Sequence, residues 1–278
     1  MEGCVSRRVV VLLLPLAVVL AGCDMSLAHL TARATDEWTR TYPLTAGGEV
    51  RIVNTNGKIE VQGVDGSTVE VRAERIARGA TDAAARDLLP RIVIKEDNTP
   101  DRVSLETERM GGIMIGAAFE VRYHVRAPKN AVINVTNTNG QVAVTALDGK
   151  VRAHTTNGGV NGKDLTGGVD AQSTNGGVTI DMASVGPDSI SLHTTNGGVT
   201  LTLPDGAKAN LSASCTNGGI NVSALDKLEI SNQSRRRVEG LLNGGGTAIE
   251  LRTTNGGIRV RPRGTLDTRT EQLEKPDR

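Results

Sequence analysis

The sequence predicts an all-β protein, and three observations favour a single-domain β-solenoid. The tripeptide Thr-Asn-Gly recurs seven times, apolar residues alternate with polar ones around each copy, and large aromatic side chains are almost absent. Alternation with period two is typical of half-buried strands, and a recurring motif is typical of stacked structural units. The scarcity of aromatic residues indicates a thin core of small, branched side chains.

The repeat is defined by the asparagine of each Thr-Asn-Gly copy. Five of the seven copies continue as Thr-Asn-Gly-Gly followed by Val or Ile, and the copies between Asn139 and Asn217 lie 18, 18, 21 and 21 residues apart. The step from Asn217 to Asn255 is 38 residues, about two more units. The predicted repeat turns are centred on Asn56, Asn139, Asn157, Asn175, Asn196, Asn217 and Asn255.

A strand is predicted on each side of every turn. Two, four and six residues before the asparagine the chain carries small or apolar residues, as in Thr155, Ala153 and Val151. The intervening positions are polar or charged, so one face of each strand points inward and the other outward. Each unit is therefore a strand, an Asn-Gly turn, a second strand and a looser turn.

Two architectures are compatible with this unit. Asn-Gly between alternating strands is a strong hairpin signal and favours an antiparallel meander or β-sandwich. Identical residues at every turn favour instead a right-handed β-helix-like solenoid built from 18–21-residue repeats, because a solenoid stacks equivalent positions. We expect a column of buried Thr or Ser beside a column of Asn, each side chain bonding to its equivalents above and below. We favour the solenoid.

These motifs resemble an adhesin-like family of bacterial envelope proteins, a domain family of unknown function with Thr-Asn-Gly repeats. The resemblance spans residues 45–261 and is carried by the repeats, by the stretch from Phe119 to Pro128, and by the closing segments 238–246 and 249–258. It implies a β-solenoid fold. It implies no catalytic residue.

The first 22 residues have the pattern of a cleavable signal. Arg7 and Arg8 precede an apolar run from Val9 to Leu20, which would span only about 18 Å as a helix against a ~30 Å hydrocarbon core. The run ends in Leu20-Ala21-Gly22-Cys23, which resembles the lipobox of bacterial lipoproteins. The resemblance implies that Cys23 carries lipid after cleavage and that the mature protein is anchored to a membrane.

The predicted organisation has four parts, the third of which contains an excursion at residues 73–130. In that excursion we predict a helix from Ala80 to Leu89 stopped by Pro90, followed by strands from Ile92 to Lys95 and from Val103 to Thr107, which together cover an open end. The four parts are the signal (1–22), the anchor and tether (23–44), the β-solenoid (45–261) and a disordered tail (262–278).

Composition excludes several functions. Removal of residues 1–22 leaves 30 basic and 30 acidic residues, so nucleic acid is not expected as a partner, because phosphate binding needs a basic surface. With Cys4 removed and Cys23 acylated, only Cys215 is left as a thiol, and no internal disulfide can form. The repeat pattern places Cys215 inward, where other copies have Thr or Ser.

Candidate reactive residues do not form a recognisable site. His154 and His193 fall two rungs apart, about 10 Å, too far to share one metal ion. Asp170, Asp181 and Glu250 are predicted in different columns or on distant rungs, whereas polysaccharide cleavage needs clustered acids. Asp170 is predicted beside Arg152 as a surface ion pair, and Arg235-Arg236-Arg237 as a solvated loop. We therefore expect no enzyme, metal or cofactor.

The function predicted from the sequence is that of a non-catalytic binding or scaffold module of the cell envelope, lipid-anchored and facing the periplasm or the exterior. Its polar faces would contact a glycan or an envelope protein. Two alternatives stay open: an accessory or sensor protein in an envelope stress response, and a polysaccharide-acting β-helix enzyme. The sequence does not distinguish an inner from an outer membrane.

Overall fold

In a computed structural model, residues 31–108, 117–223 and 225–264 are described. These residues form one short α helix, one 3₁₀ turn and 21 strands, so the predicted all-β class is confirmed. The predicted signal, its lipidation site Cys23 and residues 265–278 of the predicted tail lie outside the described residues.

The helix α1 spans Asp82–Leu88 and is followed by a 3₁₀ turn, Leu89–Arg91. The first eleven strands are β1 (Ala32–Pro43), β2 (Glu49–Asn56), β3 (Ile59–Val64), β4 (Thr68–Gly79), β5 (Ile94–Thr99), β6 (Arg102–Thr107), β7 (Ala117–Pro128), β8 (Val132–Asn139), β9 (Val142–Thr145), β10 (Val151–Asn157) and β11 (Val160–Leu165). The other ten are β12 (Val169–Asn175), β13 (Val178–Met182), β14 (Ile190–Asn196), β15 (Val199–Leu203), β16 (Ala209–Asn217), β17 (Ile220–Asn221), β18 (Leu228–Gln233), β19 (Arg237–Leu242), β20 (Thr247–Asn255) and β21 (Ile258–Pro262).

The strands build two sheets. Sheet A has the order β1-β4-β7-β3-β9-β11-β13-β15-β21-β17, and sheet B has the order β18-β19-β16-β20-β14-β12-β10-β8-β2-β6-β5. From β8 to β15 the chain alternates between sheets, and each strand pairs in parallel with the equivalent strand of the next coil. The Asn-Gly turns therefore join strands of different sheets. The antiparallel meander does not occur within this array.

The core lies between the sheets, and the parallel register of the strands aligns its side chains in columns. Val151 pairs with Val169, which pairs with Ile190, while Ala153, Ala171 and Leu192 form the next inward column. All six side chains are buried. Because each coil presents the same inward positions, small aliphatic side chains fill the thin space between the sheets coil after coil.

The spatial order of the coils departs from chain order at one place. β20 pairs in parallel with β14 on one side and with β16 on the other, so the last repeat is inserted between two earlier ones. In the same way β21 lies between β15 and β17. Residues 222–246, which contain the antiparallel hairpin β18–β19, carry the chain around β16 before it returns. The 38-residue step between Asn217 and Asn255 is thus not a continuation of the stack.

The excursion extends both sheets at the opposite end. β4 pairs antiparallel with β7 and with β1, and β5 pairs antiparallel with β6. The helix is shorter than predicted, because the Thr81 hydroxyl caps it by accepting the Ala84 N–H at 3.2 Å, and Pro90 lies in the 3₁₀ turn. The second of the two predicted strands matches β6 closely, whereas the first begins two residues late, at Ile94.

One correction concerns the predicted tether. Residues 32–43 form β1 and pair with β4 along twelve residues. The reason lies in the alternation of β1: Trp38 and Tyr42 are half-buried and pack against the core, and on the same face Asp36 accepts hydrogen bonds from Arg75 of β4. Only the segment before Ala32 is left as a possible tether.

Candidate functional site

The seven repeat asparagines form one hydrogen-bonded ladder at the corner between the sheets. Each Nδ2 donates to the Oδ1 of the next asparagine toward Asn56, at 2.8 or 2.9 Å. The spatial order is Asn56, Asn139, Asn157, Asn175, Asn196, Asn255 and Asn217. The inserted β20 therefore completes the ladder, since without it Asn196 and Asn217 would have no partner between them.

The buried hydroxyl column behaves differently from the prediction. Thr155, Ser173, Thr194 and Thr253 do not bond to one another; each donates to the carbonyl of a turn glycine in the adjacent coil, at 2.7 to 3.1 Å. That carbonyl points at the column because the turn reverses the chain there. Asn137 occupies the same position in its coil and donates to Gly57 O at 2.8 Å. The column therefore ties each strand to the neighbouring turn.

The first glycine of each turn is required by close packing. A Cβ placed on any of the seven would lie 1.8 to 2.2 Å from a backbone oxygen of the adjacent coil. A side chain at this position would force the coils apart. These residues are Gly57, Gly140, Gly158, Gly176, Gly197, Gly218 and Gly256.

A second polar column runs beside the ladder on the outer face of sheet B. Every repeat has threonine directly before its asparagine. Within the described part of the chain, none of these seven hydroxyls bonds to another protein group, so all are free to bind a ligand. The column consists of Thr55, Thr138, Thr156, Thr174, Thr195, Thr216 and Thr254.

The histidines lie where the register places them and have no site around them. His154 and His193 are separated by Gln172 in one outward column. Among residues 31–108, 117–223 and 225–264, no group of three or more His, Cys, Asp or Glu residues could hold a metal ion.

Two charge predictions need correction. Arg152 and Asp170 are neighbours in register but form no ion pair, because Asp170 accepts a hydrogen bond from Gln172 at 3.1 Å. Asp170 and Glu250 share one column, separated only by Ser191, since β20 lies next to β14. Glu250 pairs with Arg252. Asp181 lies in the other sheet, 3.5 Å from Arg263, so the three acids are not one cluster.

A charged groove at the Asn56 end of the ladder was not predicted. It encloses about 620 Å³, and its lining includes Asn56, Asn139, Gln141, Arg78 and Phe119. It lies on the outer face where β3, β7 and β4 meet. Alternating charges on β4 and β7 are visible in the sequence, but the antiparallel pairing that joins them to the ladder is not.

Every carboxylate lining the groove is paired with a cation. Glu60 pairs with Lys58 and, at 2.6 Å, with His124. Glu74 pairs with Arg33 at 3.0 Å, and Glu120 pairs with Arg122 at 2.6 Å. The hydrogen bond from Lys58 holds the pKa of Glu60 below its usual value. This hydrogen bond favours the ionised form of Glu60.

Arg235 and Arg236 lie in the turn between β18 and β19, and Arg237 is the first residue of β19. All three are exposed, and Arg237 pairs with Glu239 at 3.3 Å. Nothing in the described residues gathers Arg235 and Arg236 into a site. Across the described residues, no helix has the length and apolarity needed to cross a membrane.

Comparison with known proteins confirms the family resemblance over part of its predicted span. Residues 129–261 match the family described as Toastrack DUF4097. A solved structure of a candidate cell adhesion protein from Clostridium sporogenes shares 11% identity over 83% of this chain and 100% of that one, with a TM-score of 0.46. Candidate adhesins from Bacteroides fragilis and Parabacteroides merdae share 11% and 10% identity, with TM-scores of 0.28 and 0.30. They cover 82% and 83% of this chain and 97% and 96% of their own. No curated protein matches the chain.

Proposed function

We propose that this chain, whose residues 129–261 match the Toastrack DUF4097 family, is a lipid-anchored, non-catalytic module that binds glycan in the bacterial envelope. The observation that carries the proposal is the asparagine ladder with its threonine column. An asparagine amide has two N–H donors and two acceptor lone pairs. Inside the ladder one donor and one lone pair are used, so each rung retains one of each.

A periodic row of donors and acceptors suits a polymer that repeats the same groups. Adjacent rungs lie about 4.8 Å apart. Sugar hydroxyls both donate and accept, as the unused amide groups and the threonine hydroxyls do. A glycan lying along the stack could therefore repeat its contacts from rung to rung.

The ion pairs of the groove favour binding over catalysis. A carboxylic acid that donates a proton to a glycosidic oxygen needs a raised pKa. Lys58 and His124 act in the opposite direction on Glu60, whose pKa is lowered. Glu74 and Glu120 are held by arginines. We therefore assign the groove to binding.

The proposed anchor would hold the domain near a membrane. Cys23 precedes the first residue of β1, Ala32, by nine positions. A segment of that length reaches at most roughly 30 Å when fully extended. The lipid on Cys23 would therefore hold the solenoid close to the surface, where envelope glycans are accessible.

The test is co-sedimentation of the purified full-length protein with insoluble peptidoglycan and with chitin. Replacing Thr156, Thr174 and Thr195 by valine removes three adjacent hydroxyls at nearly constant volume. At about 1 kcal/mol per hydrogen bond, the loss of three bonds should lower the affinity roughly a hundredfold. The matched control places valine at Thr179 and Thr200 on the outer face of sheet A and should bind like the wild type.

Two results would contradict the proposal. Absence of the wild-type protein from both pellets would exclude glycan binding, and a co-purifying membrane protein would then favour the accessory or sensor function. Equal loss of binding in both threonine variants would exclude this face as the binding surface.

A further inference from the structure

The end strands of the two sheets differ in how they are protected against further pairing. Sheet A ends at β1 and β17, and sheet B ends at β5 and β18. β17 has two residues, and β18 has six with an irregular register against β19. β5 also has six residues, and three of them in a row, Lys95, Glu96 and Asp97, are charged. Short strands, irregular registers and runs of charge discourage the addition of another strand.

The strand β1 is long and regular by comparison. Its twelve residues pair with β4 without a register shift, and its one proline, Pro43, is the last residue. In the part of the chain that the structure describes, no strand lies on the other side of β1. About half of its backbone N–H and C=O groups point to that open side. Such a row of unpaired groups is a template for an added strand.

The inner side chains of β1 are also incompletely covered. Sheet A extends three strands beyond β3, whereas sheet B extends two strands beyond β2. Trp38 and Tyr42 therefore pack against the core only in part. The Arg40 guanidinium lies over the Trp38 ring, 4.9 Å from its centroid. A strand added beside β1 would cover more of this aromatic surface.

Few alignments allow β1 to pair with itself. In a symmetric antiparallel pair the two-fold axis passes through one residue, and an axis perpendicular to the sheet brings together side chains of the same face. Four such centres, residues 36 to 39, keep at least nine of the twelve residues paired. Centring on Asp36 or Glu37 places that carboxylate opposite itself, which is destabilising. Centring on Thr39 brings no opposite charges together.

Centring on Trp38 matches the strand to itself. Asp36 of each copy then lies opposite Arg40 of the other, and the two Trp38 rings face each other across the axis. Both charged side chains are accessible in the single chain, with 36% of Asp36 and 50% of Arg40 exposed. We infer that β1 pairs antiparallel with β1 of a second copy in this register, residues 33–43 against residues 33–43. The product is a symmetric dimer in which the two copies of sheet A form one continuous sheet.

Symmetry also limits the assembly to two copies. An isologous contact uses the same edge of both partners, so the dimer has no free β1 left. The other end of sheet A, β17, has only two residues. The geometry therefore favours a closed dimer over a filament.

Disulfide cross-linking tests the register. Thr35 and Thr41 lie on the exposed face of β1 and would be opposite each other in the dimer. Full-length Thr35→Cys and Thr41→Cys proteins, mixed and oxidised with copper phenanthroline, should give a disulfide-linked heterodimer. Each variant alone should not cross-link, because the residue and its own copy would be six positions apart, roughly 20 Å. The wild type, which retains the native cysteines, is the control for cross-links through them.

Substitution of Thr39 tests the dimer at an exposed position. Thr39 would face Glu37 of the second copy, whereas in its own chain it is paired in register with Arg72 of β4. Thr39→Lys should therefore tighten the dimer and Thr39→Glu should weaken it, each by roughly fivefold in the Kd measured by sedimentation equilibrium. Within one chain Arg72 favours glutamate over lysine, so the thermal midpoints of the monomeric variants should rank in the opposite order.

Three results would overturn the inference. Wild-type protein that sediments as a monomer at every soluble concentration would exclude pairing through β1. Cross-linking of Thr35→Cys or Thr41→Cys alone, or its absence from their mixture, would exclude this register. A dimer with the same Kd in both Thr39 variants would form through another surface. Glycan binding is tested separately and does not depend on these outcomes.

Discussion

Two adjacent glycines of one turn should differ strongly in the stability that each loses on substitution by alanine. In Gly176→Ala the new Cβ would lie 2.1 Å from Gly158 O and 2.4 Å from Gly158 C, so the two coils must separate by about 1 Å. In Gly177→Ala the nearest atom is Gly198 O at 3.3 Å, and the position is exposed. The substitutions differ by one position and are otherwise identical.

The cost of Gly176→Ala follows from what holds the coils together there. Gly158 N–H donates to Asn175 O at 2.9 Å, and the Ser173 hydroxyl donates to Gly158 O at 2.8 Å. Weakening both costs about 1 kcal/mol each, and overpacking adds about 1–3 kcal/mol. We expect a loss of about 3–5 kcal/mol. Gly177→Ala should change stability by less than about 1 kcal/mol, in either direction.

Urea denaturation followed by far-ultraviolet circular dichroism measures both values. Each variant is compared with the wild type in midpoint and slope, because a changed slope would indicate a changed transition rather than a changed stability. Similar midpoints for the two variants would refute the stacking of carbonyl against turn glycine. So would a larger effect at Gly177.

Three further predictions concern single side chains. Asn175→Asp removes the N–H that donates to Asn157 and should destabilise the protein by about 1–2 kcal/mol. Asn56 only accepts a hydrogen bond in the ladder, so Asn56→Asp keeps that role and should be neutral. Thermal melts that rank the two variants in the reverse order would contradict this donor-to-acceptor direction. Cys215 is 6% exposed and makes no side-chain hydrogen bond within the described residues. Cys215→Thr should therefore be neutral or stabilising by up to about 1 kcal/mol, whereas Cys215→Arg should cost several kcal/mol. Rapid maleimide labelling of the folded protein would contradict the inward position of Cys215. Cys23→Ala should release the folded protein from membranes, and a variant that still pellets with them after a salt wash would exclude the anchor.

The sequence predicts which side chains of each repeat strand face inward, because local residues specify it. Alternation around each asparagine sets which side chains face inward, so the inward positions of Val151, Ala153 and Thr155 follow from the sequence alone. The helix is predictable from its alanines and from Pro90. These features depend on neighbours in sequence.

The insertion of β20 is not predictable, because the copy at Asn255 has the same sequence pattern as its neighbours. The motif Thr-Asn-Gly-Gly-Ile does not specify which coil this repeat lies beside. For the same reason, the sequence does not show that Asp170 and Glu250 lie in one column. The acceptors of the buried hydroxyls are also not predictable from the sequence. Thr155 donates to Gly140 O, and the direction of that carbonyl depends on the three-dimensional path of the turn. β1 resembles a tether in sequence because it carries four charged residues, Arg33, Asp36, Glu37 and Arg40, within twelve positions.

The most direct test of the central claim is to observe the ladder amides while a glycan binds. Side-chain NH₂ resonances of asparagine are visible by nuclear magnetic resonance, and each ladder position is assigned by loss of its signal in a single Asn→Ala variant. On addition of β-1,4-linked N-acetylglucosamine oligomers, we predict that the signals of Asn157, Asn175, Asn196, Asn255 and Asn217 shift, while that of Asn134, on the outer face of sheet B, does not. Saturable binding that leaves the ladder signals unchanged would show that the glycan binds elsewhere and would contradict the account.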